Sequence, residues 1–125
     1  MAINFYKEYG PLGYLASYSD HGFYIDGIYY PTVEHYYQSE KFDDALIKKK
    51  IISSKTPKEA STIGRDRNLK RIDGFSNKKL SVMYKGTLEK FLQNSTIRSK
   101  LIETRNNEIE EMTEKESSLS IPKLD

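Results

Sequence analysis

The chain has 125 residues, with 20 Lys plus Arg against 18 Asp plus Glu, for a net charge of +2. That is room for one compact domain, and the balance excludes a protein that coats polyanions through a strong basic excess. Cysteine is absent and histidine occurs only twice, which excludes disulfides, thiolate catalysis and cysteine metal sites and argues against a histidine-rich metal centre.

Hydrophobic residues make up 37% of the chain, yet there are 10 Tyr and 5 Phe. Tyrosine buries a large ring while its hydroxyl still needs a partner, so the core should be small and partly polar. Of the 15 aromatics, 12 lie in residues 1–42, and only Phe75, Tyr84 and Phe91 follow. No apolar run approaches the roughly 20 residues of a membrane span, and no basic-then-apolar leader opens the chain. The expectation is a soluble cytoplasmic protein without membrane association.

In chain order, Ile3-Asn4-Phe5-Tyr6 reads as a short strand, and Tyr9 to Gly13 is dense in turn residues. Gly22 to Tyr30 predicts a hairpin about Asp26-Gly27, a two-residue loop of the type I′ class. Thr32 can cap a helix from Val33 to about Phe42. From Asp43 to Ser53 a charged helical pattern carries Ala45, Leu46, Ile47, Ile51 and Ile52 as its apolar side. Thr56-Pro57-Lys58-Glu59 is a helix start, with Thr at the cap, Pro first and Glu third, and Gly64 is a stop. Arg65 to Asn77 reads as an irregular basic loop. Leu80, Met83, Tyr84, Leu88, Phe91 and Leu92 then recur at helical spacing. Asn94-Ser95-Thr96 breaks that helix, and Ile97, Leu101 and Ile102 mark another. The polar stretch from Glu108 to Asp125 reads as a flexible tail, so the expected boundaries are a domain over 1–107 and a tail over 108–125.

Two segments could carry chemistry. On the first predicted helix Glu34, Gln38 and Lys41 stand at i, i+4 and i+7 and share one face, with Val33, Tyr36 and Tyr37 on the other. By pattern alone this is an amphipathic surface helix with a solvated polar stripe. The sharper reading sets a carboxylate beside an amine in an aromatic-lined cleft. The second segment is Gly64-Arg65-Asp66-Arg67-Asn68: its two guanidiniums could hold a pyrophosphate, or make only local salt bridges. His35 reads more readily as a packed, hydrogen-bonded histidine than as a catalyst, and nothing marks His21 beyond its turn. The tyrosines could stack a base or simply build the core.

Together these segments resemble the NADAR family, also called YbiA-like N-glycosidases. Ile3 to Tyr6, followed by Asp26-Gly27-Ile28-Tyr29-Tyr30-Pro31-Thr32-Val33-Glu34-His35-Tyr36-Tyr37-Gln38-Ser39-Glu40-Lys41-Phe42, is similar to INFY … DGxxWPTxEHYxQxxKF. Thr56-Pro57-Lys58-Glu59-Ala60 and Gly64-Arg65 match the (T/S)PxxA and GR pieces, and Val82-Met83 and Lys90-Phe91 follow at the right separations. The resemblance runs from residue 3 to about 105.

It implies an α+β fold: a mainly helical, YbiA-like single domain with a small antiparallel sheet. It implies hydrolysis of an N-glycosidic bond on an ADP-ribosyl or ribose-phosphate substrate, either ADP-ribosylated guanine or a ribosylamine intermediate of the riboflavin pathway. Glu34 and Lys41 would be catalytic; Asn4, Phe5, Tyr6, His35, Gln38, Gly64, Arg65, Arg67 and Phe75 would bind substrate. No metal or cofactor is required, and the partner is the small molecule itself or ADP-ribosylated nucleic acid. The chemistry suits these residue types: cleaving C1′–N builds positive charge that a carboxylate stabilises, and a lysine made less basic by burial can attack that carbon and hold it as an imine.

The chain departs from the family pattern in three places. Ala16-Ser17-Tyr18 stands where members usually have Ser-Asn-Phe, which removes one amide contact, and Phe75 stands for a tryptophan. The C-terminal WGxG … NxLGxxLMxLR segment has no counterpart in Glu114 to Pro122. That last departure sets up the alternative, a catalytically weakened ADP-ribose-binding module or antitoxin-like protein. It also predicts a homodimer that covers the core face left open, with the tail adding little fixed structure.

Overall fold

The computed structural model describes the backbone of residues 12–118 and the side chains of residues 12–106. The expected strand Ile3–Tyr6, and with it Asn4, Phe5 and Tyr6, lies outside the described residues. The chain divides into two units, Met1–Asn94 and Ser95–Asp125.

In the first unit a 3₁₀ turn, Gly13–Leu15, precedes a two-stranded antiparallel hairpin, β1 Phe23–Ile25 and β2 Ile28–Tyr30. Its register pairs Phe23 with Tyr30, Tyr24 with Tyr29 and Ile25 with Ile28. Asp26 (φ 51°) and Gly27 (φ 80°) both take the left-handed conformation, as the type I′ turn between right-twisted strands requires. A lone hairpin is marginal in water. Here Phe23, Ile25 and Tyr30 are buried with Val33 and Tyr36 of α1 (Val33–Ser39), and Ile52, Val82 and Met83 pack against them. The rings of Tyr30 and Tyr36 meet edge to face at 4.9 Å, and Phe23 lies within 6.1 Å of both. Burial pushes the Tyr36 phenol up to about 12.

Thr32 caps α1 as expected, accepting the His35 N–H at 3.1 Å. The helix ends at Ser39 rather than near Phe42, so Lys41 lies just beyond it. Asp44 caps α2 (Ala45–Ile52) through Leu46 and Ile47, and Thr56 caps α3 (Pro57–Gly64) with Pro57 in the first turn. A second core cluster of Phe42, Ile51 and Ala60 has Ile47, Ile63 and Leu69 against it. Fully burying a side chain such as Phe42 or Ile51 contributes about 1.5–3 kcal/mol.

Helix α4 runs from Phe75 to Gln93, so it starts inside the stretch expected to be loop. Its apolar residues divide. Phe75 and Phe91 are buried, whereas Leu80 and Tyr84 are 80% and 69% exposed. The Gln93 amide bonds both backbone groups of Tyr24, accepting its N–H at 2.7 Å and donating to its carbonyl at 2.8 Å. Helix α1 is the centre of the unit, touched by α2, α3, α4 and β2.

The described part of the second unit is one helix, α5, Ser95–Ser118. The expected boundary at 107/108 falls within this helix instead of at its end. Six of residues 103–118 are Glu, a good helix former despite its polarity. Among the described residues no helix is long and apolar enough to cross a membrane.

Candidate active site

The stripe Glu34, Gln38 and Lys41 is buried, not solvated: their exposures are 6%, 1% and 9%. This overturns the surface-helix reading. The spacing shows which residues share a face, but the cover comes from α3 and from the segment before β1, both distant in sequence. Two donors hold Glu34. Its Oε1 accepts the Ser17 hydroxyl at 3.1 Å and its Oε2 accepts the Gln38 amide at 2.6 Å. Its backbone N–H also donates to the Ser17 carbonyl at 3.1 Å. An acceptor-only carboxylate with a donor on each oxygen is fixed in orientation.

Gln38 is wedged between α1 and α3. With its amide nitrogen on Glu34, its Oε1 is buried, has no hydrogen-bond partner among the described residues and faces Gly64. A side chain at Gly64 would overlap the Gln38 amide, with Cδ only 2.7 Å from the added carbon. The glycine foreseen as a helix stop is thus also a close-approach position.

The Lys41 ammonium lies 5.4 Å from the centre of the Tyr37 ring and makes no ion pair with a described residue. Burial brings it down to about 8, helped by the neighbouring Arg71 and Arg65 and opposed by Glu34. The same three charged groups act on Tyr37, whose phenol is raised chiefly by burial. Glu34, Lys41, Tyr37, Arg65 and Arg71 therefore form one neighbourhood. The loop after α3 is tied into it twice: Arg71 donates to the Gly64 carbonyl at 3.1 Å and the Ile72 N–H to the Lys41 carbonyl at 2.8 Å.

Other expected residues are placed differently. Arg67 is exposed on the turn after α3 and bonds to no described residue. Phe75 is buried against Tyr37, ring centres 5.5 Å apart, so its ring packs the site wall. His35 is 1% exposed with both ring nitrogens engaged: Nδ1 with the Thr32 hydroxyl at 2.8 Å and Nε2 with the Ser54 carbonyl at 3.0 Å. A carbonyl only accepts, so Nε2 carries the proton and Nδ1 accepts from Thr32. Burial lowers its pKa, consistent with a neutral ring. His35 therefore staples α1 to the α2–α3 turn and has no nitrogen left for a ligand. Among the described residues no cluster of His, Asp and Glu could hold a metal ion.

Sequence reasoning missed Ser17 and Arg71. In the sequence Ser17 stands out only as a departure from a family triplet, and Arg71 is one cation among several in a loop.

The architecture is a mainly helical α+β domain with a carboxylate–amine site on and just after its central helix. The chain belongs to the NADAR domain family, whose profile matches residues 4–121. It is 40% identical over 109 residues to N-glycosidase Npun_R5314 of Nostoc punctiforme, covering 83% of this chain and 69% of that protein. It is 31% identical to N-glycosidase YbiA of Escherichia coli, covering 92% of this chain and 72% of that protein. The NMR structure of E. coli YbiA superposes with a TM-score of 0.70 at 32% identity, over 77% of this chain and 57% of that chain. A riboflavin biosynthesis protein of Vibrio vulnificus, VVA0006, is 29% identical over 92% of this chain, which spans 31% of that larger protein. Its relatives thus include proteins named as glycosidase-type hydrolases.

Proposed function

We propose that this chain is an N-glycosidase that hydrolyses the C1′–N bond of an ADP-ribosyl or ribose-phosphate N-glycoside. ADP-ribosylated guanine and a ribosylamine intermediate of the riboflavin pathway are the two substrate classes. The observation that carries this reading is the buried pair on and just after one helix: a carboxylate held by a donor on each oxygen, and an amine that burial brings to about 8.

At neutral pH roughly a tenth of a group with that pKa is the free amine, far more than for an ordinary lysine. As the C1′–N bond lengthens, positive charge grows on C1′ and the ring oxygen, and Glu34 stabilises it. The bonding pair leaves with the base nitrogen, which takes up a proton. The Lys41 amine adds its lone pair to C1′. Its proton then passes to the ring oxygen as the sugar opens to a protonated imine. Water adds to that carbon and expels the amine, returning free sugar and Lys41. Arg65 and Arg71 are the groups to which the substrate phosphate would bind.

The test incubates the full chain with ADP-ribosylated guanine nucleic acid and, separately, with a riboflavin-pathway ribosylamine phosphate, and follows release of the sugar product, beside calorimetry with free ADP-ribose. Release that Glu34→Gln abolishes supports the proposal. Tight ADP-ribose binding with no release from either substrate class would return the binding-module reading.

A further inference from the structure

Glu34 takes one of its donors from a segment with little regular structure. After the 3₁₀ turn Gly13–Leu15, the chain reaches Ser17 and Ser19 without a helix or strand to hold it. Local turn bonds shape it, Ala16 N–H to the Gly13 carbonyl and Ser19 N–H to the Ala16 carbonyl, and a further hold comes from the far end of α4. Lys90 is 1% exposed, and its ammonium donates to the Tyr14 carbonyl at 2.7 Å, the Ala16 carbonyl at 3.1 Å and the Ser19 hydroxyl at 3.2 Å. An ammonium has three N–H donors, and all of them are used on this one segment.

No described carboxylate pairs with Lys90. A buried, unpaired charge is costly, and apolar side chains fill such space without that cost. The cost is reflected in burial bringing Lys90 to about 8. What the ammonium gives in return is the convergence of three oxygens from Tyr14, Ala16 and Ser19 on one point. Ser17 lies between two of these anchored residues and is joined to Glu34 twice. Its carbonyl accepts the Glu34 N–H, and its hydroxyl donates to Oε1, both at 3.1 Å. That N–H belongs to the first helical turn, where no partner exists inside the helix.

We propose that Lys90 is a positioning residue: through the Tyr14–Ser19 segment it sets the Ser17 hydroxyl on the Glu34 carboxylate. It does not itself touch substrate. The proposal rests on Glu34 being the carboxylate of the site.

Two readouts on the full chain test this, with wild type, Lys90→Met, Ser17→Ala and the double variant. The first is amide hydrogen exchange, which needs no substrate. Lys90→Met should speed exchange at the Glu34 amide about tenfold or more, while the Ala60 amide in α3 keeps its rate. The second is steady-state kinetics. Lys90→Met should lower kcat about tenfold with KM changed less than about twofold, and the double variant should fall no further than the worse single. Unchanged exchange at Glu34, equal loss of protection at Glu34 and Ala60, or kcat losses that multiply independently would each overturn the proposal. Should Lys90→Met fail to fold, Ser19→Ala removes one acceptor while keeping the ammonium; about a threefold change in both readouts is then expected, and no change overturns the proposal. Full turnover by Glu34→Gln would overturn the reading of Glu34 and with it the purpose of this contact. Lost turnover there with unchanged exchange in Lys90→Met overturns the role of Lys90 alone.

Discussion

Gly64 on α3 lies against the side-chain amide of Gln38 on α1, so closely that a methyl group at Gly64 would overlap it. Replacing a helical glycine by alanine ordinarily stabilises by about 1 kcal/mol. Overpacking a filled contact costs about 1–3 kcal/mol. The second effect wins where the neighbour cannot move, and Gln38 is 1% exposed and tethered to Glu34. Gly64→Ala should therefore lower the urea midpoint and, by displacing the Gln38 donor, lower kcat as well. A stabilised, fully active variant would show that Gln38 has room to yield.

Glu34→Gln keeps the size of the side chain and removes its charge. Loss of one electrostatic stabiliser costs on the order of 10²–10³ in kcat, while stability should fall by about 1–3 kcal/mol, because the new NH2 faces a group that donates to the carboxylate. Near-normal turnover would reduce Glu34 to part of the helix packing.

The free amine of Lys41 is the attacking form, so the rate should rise with pH up to about 8. Arg71 is the foremost neighbouring charge pushing that value down. Removing a cation favours the protonated amine, so Arg71→Gln should move the rising limb to higher pH. Borohydride added during turnover should leave a ribose adduct on Lys41, read by mass spectrometry. An active Lys41→Arg enzyme that traps no adduct would point instead to direct attack by water.

Stability should peak at alkaline pH. Lys41 and Lys90 titrate at about 8 in the fold, against an ordinary value of 10.5. Between these values the unfolded chain binds more protons, so stability rises with pH and is lost as pH falls through about 8. Tyr36 behaves oppositely. Its ordinary value of 10.0 is raised to about 12, so above about pH 10 the folded chain holds the extra proton and stability falls. Denaturation midpoints should climb from about pH 8 to about pH 10 and then decline. A flat or falling profile over the first interval would mean that neither lysine is desolvated in solution.

What the sequence revealed was local. The Thr56-Pro57-Lys58-Glu59 start and the Asp26-Gly27 turn are decided by residues within a few positions of each other, and both formed as expected. The helical spacing i, i+4, i+7 also set Glu34, Gln38 and Lys41 on one face. Burial was not legible, because the helical wheel of α1 says nothing of what lies over it. Apolar spacing identified α4 but not its inner face: Leu80 and Tyr84 face outward, while Lys90, a residue normally assigned to solvent, is 1% exposed. The partners of Lys90 lie more than 70 positions away. Ser17 and Arg71 were hidden for the same reason: their roles depend on contacts made only once the chain has closed.

The bonds from Gln93 to Tyr24 have a consequence for how this chain meets other chains. In an antiparallel pair, the N–H and C=O of one residue point to the same side, and those of Tyr24 go to Gln93. The outer rim of β1 is therefore already occupied by an amide that stands in for the peptide group of a third strand. Open strand rims recruit foreign strands and seed aggregation, and this hairpin carries exposed Tyr24, Ile28 and Tyr29, residues that favour such pairing. Gln93, at the last position of α4, closes that rim with one side chain.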